Sequence, residues 1–200
     1  MAQLQITIDD GPQPVASALA GLLAELQHRN VKAAFFVLGQ EVHADAAATR
    51  SIANAGHTLG NHSWDHLEPS SANYTDDQIR EQFARTHAET EGAIVPAIVR
   101  HWRAPRLEAI ARLSAILTQG ASPLYTLSHC DVHADSDDSQ GAATAAAMLQ
   151  AIRGDIAAQP GRTMFRLLFH VKPATAQALS AVLDGLLQDG HTLINFSQQT

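Results

Sequence analysis

Two carboxylates stand side by side in TIDDGP, residues 7–12, at the end of a stretch that alternates polar and apolar side chains. Asp9 and Asp10 repel one another unless solvent or a cation offsets them, and a bare Asp-Asp-Gly triplet reads as a turn. A partner is offered by NHSWDH, residues 61–66, which sets His62 and His66 four apart. On one helical turn that spacing lets two imidazoles reach a single ion. With 11 histidines in the chain such a pair arises readily by chance, so the spacing alone carries little weight. Two His plus one Asp is nonetheless a common divalent-metal set with open positions for water and substrate. One aspartate can ligate the ion, whose charge then makes the second tolerable beside it.

The elements that must position these residues alternate along the chain. Leu4, Ile6 and Ile8 alternate with Gln3, Gln5 and Thr7, a strand signal that Pro12 and Pro14 break. Val15 to about Gln27 has helical spacing of leucines, and AAFFV (33–37) is an apolar run of the kind buried on both faces. An alanine-rich helix is expected from Asp45 to Ala55, with Gly56 as its C-terminal stop. Further strands are expected at 57–60, 99–104, 124–128, 165–171 and 192–196. The intervening helices are expected at 76–94, 107–119, 142–158 and 174–187. Regular alternation of this kind implies one domain, residues 1–200, with a parallel sheet covered by helices, open or closed into a barrel. In a parallel barrel the segments after the strands build the active site. Asp9 and Asp10, His62 to His66, Arg103, Asp131 and His170 all follow or end expected strands, so they converge on one rim.

Composition narrows the partners. With a net charge of -7 and no dense Lys/Arg patch, the chain is a poor match for nucleic acid or an anionic membrane surface, and an uncharged substrate fits better. No apolar stretch is long enough to span a membrane. The N-terminus lacks the basic-then-apolar pattern of a signal peptide, so the expected setting is the cytoplasm, or a mature secreted or periplasmic form. The single cysteine, Cys130, excludes an intramolecular disulfide and reads as a small buried hydrophobe.

Taken in order, TIDDGP, AGHTLGNHSWDH, RAP and LLFH resemble the motifs of the polysaccharide deacetylases of carbohydrate esterase family four, the NodB-homology domain. The resemblance runs from residue 4 to about 196. It implies a deformed (β/α) barrel of about seven parallel strands with outer helices, in agreement with the strand count. It also implies metal-assisted removal of acetyl groups from an acetylated oligo- or polysaccharide. Position by position, Asp10, His62 and His66 become the metal ligands, with Zn²⁺ the expected ion and Co²⁺ or Ni²⁺ as other candidates. Asp9 becomes the general base, Arg103 its tether, and His170 the acid that protonates the leaving group. Leu168 would line the acetyl pocket. An imidazole is suited to that donation, and a neighbouring carboxylate would hold it protonated; Asp131 is the candidate.

The chain also departs from the family pattern. Ile8 replaces the usual Phe. Arg106 stands where Tyr or Phe is usual, at a position whose backbone N–H helps hold the oxyanion. The fourth motif, Asp-x-x-Asp followed by Trp, is matched poorly by CDVHADSDD, in which Asp131 and Asp135 have the wrong spacing and no Trp follows. His129, His133 and Asp135 to Asp138 read as a polar loop, with a second metal site the lesser alternative. Trp64 and Trp102 flank the motifs as candidates for stacking on a sugar face, a role that core packing rivals.

The leading expectation is thus a hydrolase acting on the C–N bond of N-acetylated sugars of chitin or peptidoglycan type. Rivals are an acetylxylan-type O-deacetylase, an amidase or imidase on a small cyclic substrate, and a weakened relative that only binds carbohydrate. A zinc protease is disfavoured, because no Glu lies within the His-x-x-x-His segment to serve as base.

Overall fold

The computed structural model describes residues 1–12 and 16–197. Its strands form one parallel sheet of seven in the order β4-β3-β2-β1-β6-β5, with β7 paired to β1. The strands are β1 (Gln3–Gly11), β2 (Ala34–Val37), β3 (Thr58–Asn61), β4 (His101–Trp102), β5 (Ala134–Asp135), β6 (Met164–His170) and β7 (Thr192–Leu193). The helices are α1 (Ala16–His28), α2 (Gly39–Ala44), α3 (Ala46–Asn54), α4 (Asp76–Ile94), α5 (Ile110–Thr118), α6 (Ala145–Ala157) and α7 (Pro173–Gln188). No helix among the described residues is long and apolar enough to cross a membrane.

Period-two alternation sorts side chains into two environments. Leu4, Ile6 and Ile8 of β1, Phe35 and Val37 of β2, and Phe165, Leu167 and Phe169 of β6 join the large apolar core with the helices. Each such side chain, removed from water, contributes about 1.5–3 kcal/mol. The alternate residues face the other way and are largely polar. Gln5 receives Arg166 Nε at 3.4 Å, and Thr7 Oγ1 receives Arg103 Nη1 at 2.9 Å. Ala34, Phe36 and Cys130 form the small apolar cluster on that inner side, with Phe196 against it. The gap between the edge strands β4 and β5 is bridged by the segment before β5, where Cys130 N–H donates to the Trp102 carbonyl at 3.0 Å. The result is an incomplete barrel with a polar interior.

Several expected elements differ. The strand expected at 124–128 does not form. Leu124 and Tyr125 instead donate their N–H groups to the Leu117 carbonyl at 2.9 and 3.0 Å, closing the end of α5, and the fifth strand lies at Ala134–Asp135. The strand expected at 99–104 shortens to His101–Trp102, and that at 192–196 to Thr192–Leu193. The helix expected from Asp45 is preceded by α2; Asp45 separates the two and accepts the Ala48 N–H at 2.9 Å as the cap of α3. Helix α5 begins only at Ile110, after a turn at Pro105–Leu107 in which Arg106 and Leu107 take left-handed backbone. The expected break at Pro14 and helix start at Val15 lie outside the described residues.

Register lines up the C-terminal ends of the strands. Asp9 sits opposite His170 of β6 and Phe36 of β2, while Val37 faces Asn61, and Asn61 faces Trp102. The residues following these positions therefore meet at one end of the sheet.

Candidate metal centre and catalytic cleft

In an unbroken strand, Asp9 and Asp10 would point to opposite faces. The pairing of β1 with β2 shifts register between Asp9 and Gly11, and Asp10 takes the left-handed conformation with φ of 64°. A bulge of this kind re-aims a side chain. Both carboxylates consequently approach the same imidazole: His62 Nε2 lies 3.6 Å from Asp9 Oδ2 and 3.7 Å from Asp10 Oδ1.

His66 Nε2 lies 3.6 Å from the same Asp10 oxygen. Among the described residues, Asp10, His62 and His66 form the group able to hold a metal ion, their ligand atoms all within 4.8 Å of one another. The fit is chemical as well as geometric. His62 Nδ1 is 3.1 Å from the Arg103 carbonyl, which can only accept, so Nδ1 carries the proton and Nε2 presents a lone pair. Burial pushes the His62 pKa down to about 3, against the opposing pull of Asp10, and the ring stays neutral as a ligand must. Asp10 Oδ1 is buried without a hydrogen-bond partner. An orphaned carboxylate oxygen facing an imidazole lone pair is an arrangement that a cation satisfies.

Asp9 is buried and held from the other side. Arg103, fully buried, donates Nη1 to Asp9 Oδ1 at 2.7 Å and to Thr7 Oγ1 at 2.9 Å, and Nε to the Cys130 carbonyl at 3.0 Å. Its guanidinium lies 4.2 Å from the Phe36 ring centroid. Arg103 and Asp9 thus form a direct, buried ion pair.

His170 departs from the sequence reading in its partner. Its Nδ1 lies 2.6 Å from Asp138 Oδ1 and its backbone N–H donates to Asp138 Oδ2 at 2.8 Å, an oxygen that also accepts the Thr175 hydroxyl. Burial works against a charged His170 ring, but Asp138, together with Asp9 and Asp10, outweighs it and raises the imidazole pKa. The same contacts lower the Asp138 pKa in spite of burial. Asp131, expected in this role, is instead a mostly exposed carboxylate paired with His129 Nδ1 at 3.1 Å. The missed signal was in the chain: Asp135 and Asp138 have the Asp-x-x-Asp spacing, with Ser139 in the place of the Trp.

A cleft of about 500 Å³ opens above these groups, lined by Asp9, Asp10, His62, His66, Ala104, Arg106, Leu107, Glu108, Asp135, Ser139, Gln140, Leu168 and His170. Leu168 and Arg106 therefore stand at the cleft as expected. Arg106 has φ of 56°, and its half-exposed guanidinium pairs with Glu68 at 3.0 Å. The two tryptophans do not line it. Trp102 is fully buried, edge-on to Phe83, with its indole N–H on the Leu127 carbonyl. Trp64 is covered by Arg85, whose guanidinium carbon lies 3.5 Å from the ring centroid. Neither can stack on a sugar in this cleft. The loop of His129 and His133 gathers no metal-binding group among the described residues; His133 Nδ1 accepts the Arg166 N–H, and burial pushes its pKa down to about 4.

The model of the polysaccharide deacetylase family matches residues 2–120, more than half of the chain. A peptidoglycan-N-acetylglucosamine deacetylase of Bacillus cereus is 36% identical over 85 residues, which are 42% of this chain and 30% of that protein. The chain thus spans under a third of that curated relative. Among solved structures, a family 4 acetyl xylan esterase from Clostridium thermocellum, in complex with a cobalt ion, superposes with a TM-score of 0.77 at 28% identity, covering 96% of this chain and 87% of that one. A family 4 pseudoenzyme from Bacillus anthracis superposes at 0.80 with 22% identity, covering 97% and 63%, and shares the fold alone.

Proposed function

Since this chain belongs to the polysaccharide deacetylase family, we propose that it hydrolyses the acetamide of N-acetylated sugars, with Zn²⁺ held by Asp10, His62 and His66. A divalent ion in that position polarises the acetyl carbonyl and acidifies a water. Asp9 takes the proton from the attacking water. Arg103 fixes the orientation of Asp9 and keeps its second oxygen turned toward the cleft. The backbone N–H of Arg106 donates to the oxyanion as the carbonyl becomes tetrahedral. His170, kept protonated by Asp138, then gives its proton to the sugar nitrogen as the C–N bond breaks. Free amine and acetate leave, while Leu168 provides the apolar contact for the acetyl methyl.

The observation that carries this reading is the double engagement of Asp9, 2.7 Å from Arg103 and 3.6 Å from His62 Nε2, beside an unpartnered Asp10 oxygen. An amide is favoured over an ester by the His170–Asp138 pair, because an amine leaves only once protonated. The name of the 36% identical Bacillus cereus relative points the same way.

Acetate release from N-acetylglucosamine oligomers, with acetylxylan alongside, tests the proposal. Native protein, chelator-stripped protein and stripped protein with Zn²⁺ or Co²⁺ restored are compared. Release from the oligomers that disappears on stripping and returns with metal is expected. Release from acetylxylan alone would move the substrate to O-acetyl esters. Zn²⁺ binding with no release from either would overturn the reaction.

A further inference from the structure

The segment carrying His62 and His66 is neither helix nor strand. Two of its non-glycine residues, Ser63 and His66, adopt left-handed backbone, with φ of 71° and 61°. L-residues hold such conformations only where the surroundings over-determine them.

The surroundings here grip the backbone from two sides. On one side, the first N–H groups of α2 bind its carbonyls: Gly39 donates to Ser63 and Gln40 to Trp64, each at 3.0 Å. Glycine is required at 39, since an added Cβ would lie 2.4 Å from both Thr86 Oγ1 and Trp64 Cε3. On the other side, α4 binds the N–H groups. Gln82 Oε1 accepts the Trp64 N–H at 2.9 Å and the Asp65 N–H at 3.3 Å. Asn61 Oδ1 accepts the Ser63 N–H at 2.9 Å, while its amide donates to the Phe83 carbonyl and the Tyr125 hydroxyl, each at 2.8 Å. Arg85, one turn beyond Gln82, lies across Trp64. Three consecutive N–H groups between the two imidazole ligands are therefore captured by two side-chain amides.

From this geometry we infer that Gln82 is a positioning residue for the metal site. It touches neither metal nor substrate. Its single oxygen fixes two peptide groups between His62 and His66, so that both Nε2 atoms face Asp10 before any ion arrives. Helix α4 is thus part of the metal centre rather than scaffold alone. The inference rests on the reading of Asp10, His62 and His66 as metal ligands and is independent of the reaction.

The decisive property is acceptance. Gln82→Met keeps length and removes the acceptor, whereas Gln82→Glu keeps an oxygen for both N–H groups. Titration of Zn²⁺ into the full chain should show about a 10-fold to 100-fold weaker affinity for Gln82→Met, as outer-shell partners of metal ligands typically give. Gln82→Glu should return to within about 3-fold of the native protein, with apo thermal melts recorded for both. Unchanged affinity in Gln82→Met, or equal losses in both variants, would overturn the inference. If Gln82→Met does not fold, amide exchange of the native apo protein decides: protected Trp64 and Asp65 N–H groups support the clamp, and exchange at free-loop rates refutes it. Native protein that binds no Zn²⁺ overturns the inference together with the site. Zn²⁺ binding without deacetylation overturns only the reaction.

Discussion

On the side of the cleft proposed to bind metal, the candidate ligands Asp10, His62 and His66 come from two short segments, and two of them are four apart. On the side proposed to supply the acid, His170 pairs with Asp138, which is 32 residues away in sequence. The first arrangement is written in local spacing; the second is made only when β5 and β6 pair and lay the loop 135–140 along the end of β6. The two sides also differ in electrostatics. The metal side gathers carboxylates around neutral imidazole and wants a cation. The acid side holds a buried carboxylate against an imidazole, and each shifts the other's pKa toward its charged form. One cleft thus holds an unpartnered carboxylate oxygen on Asp10 beside a carboxylate, Asp138, whose two oxygens are both engaged. The family model ends at residue 120, so it covers the first side and not the second.

Three substitutions sharpen that contrast. Arg103→Met has the largest expected effect, because it leaves Asp9 buried and unpaired; a loss of about 3–5 kcal/mol in unfolding free energy is expected, read from denaturant midpoints. A loss under about 1 kcal/mol would mean that the ion pair does not hold the rim together.

Asp138→Asn should lower kcat for acetate release by about 10²-fold, the scale of acid catalysis. Because Asp138 raises the His170 pKa, its removal should move the alkaline limb of the rate profile to lower pH. Stability follows the same signs. The stabilisation due to His170 is full below its unfolded pKa and fades as pH rises through the raised folded value. That due to Asp138 is full above the ordinary carboxylate pKa and fades as pH falls through its lowered value. The variant should therefore lose most stability between about pH 4 and 6.5. An unmoved alkaline limb would remove Asp138 from the acid side.

Asp131→Asn has the smallest expected effect, within about 2-fold in rate, as suits a solvated carboxylate. An Asp131→Asn defect as large as that of Asp138→Asn would reverse the assignment made from the structure.

The fold was legible because β and α patterns alternate with little interruption. The missing strand at 124–128 shows the limit: LYTLS has strand composition, but the open end of α5 captures its backbone. The grouping of Asp10, His62 and His66 was legible because residue type, order and spacing coincide in contiguous motifs. The bulge that brings Asp10 around beside Asp9 was not, since alternation alone sends the two apart. Trp102, read as either a sugar-stacking or a core residue, shows a related limit. Strand periodicity says that Trp102 and Arg103 face opposite ways, but not which of them faces the barrel, and the arginine took the interior. Asp138 was missed despite the Asp-x-x-Asp spacing, because it lies in a run of six polar residues, 135–140, where register singles out the partner of His170.

The central claim is that adjacent aspartates divide the work, Asp10 holding metal and Asp9 moving a proton. Zn²⁺ titration paired with acetate release, on native protein, Asp9→Asn and Asp10→Asn, tests it most directly. Asp9→Asn is expected to keep Zn²⁺ affinity within about 10-fold while losing about 10²- to 10⁴-fold in kcat, and Asp10→Asn to lose Zn²⁺ itself. Zn²⁺ lost in Asp9→Asn and retained in Asp10→Asn would contradict the division.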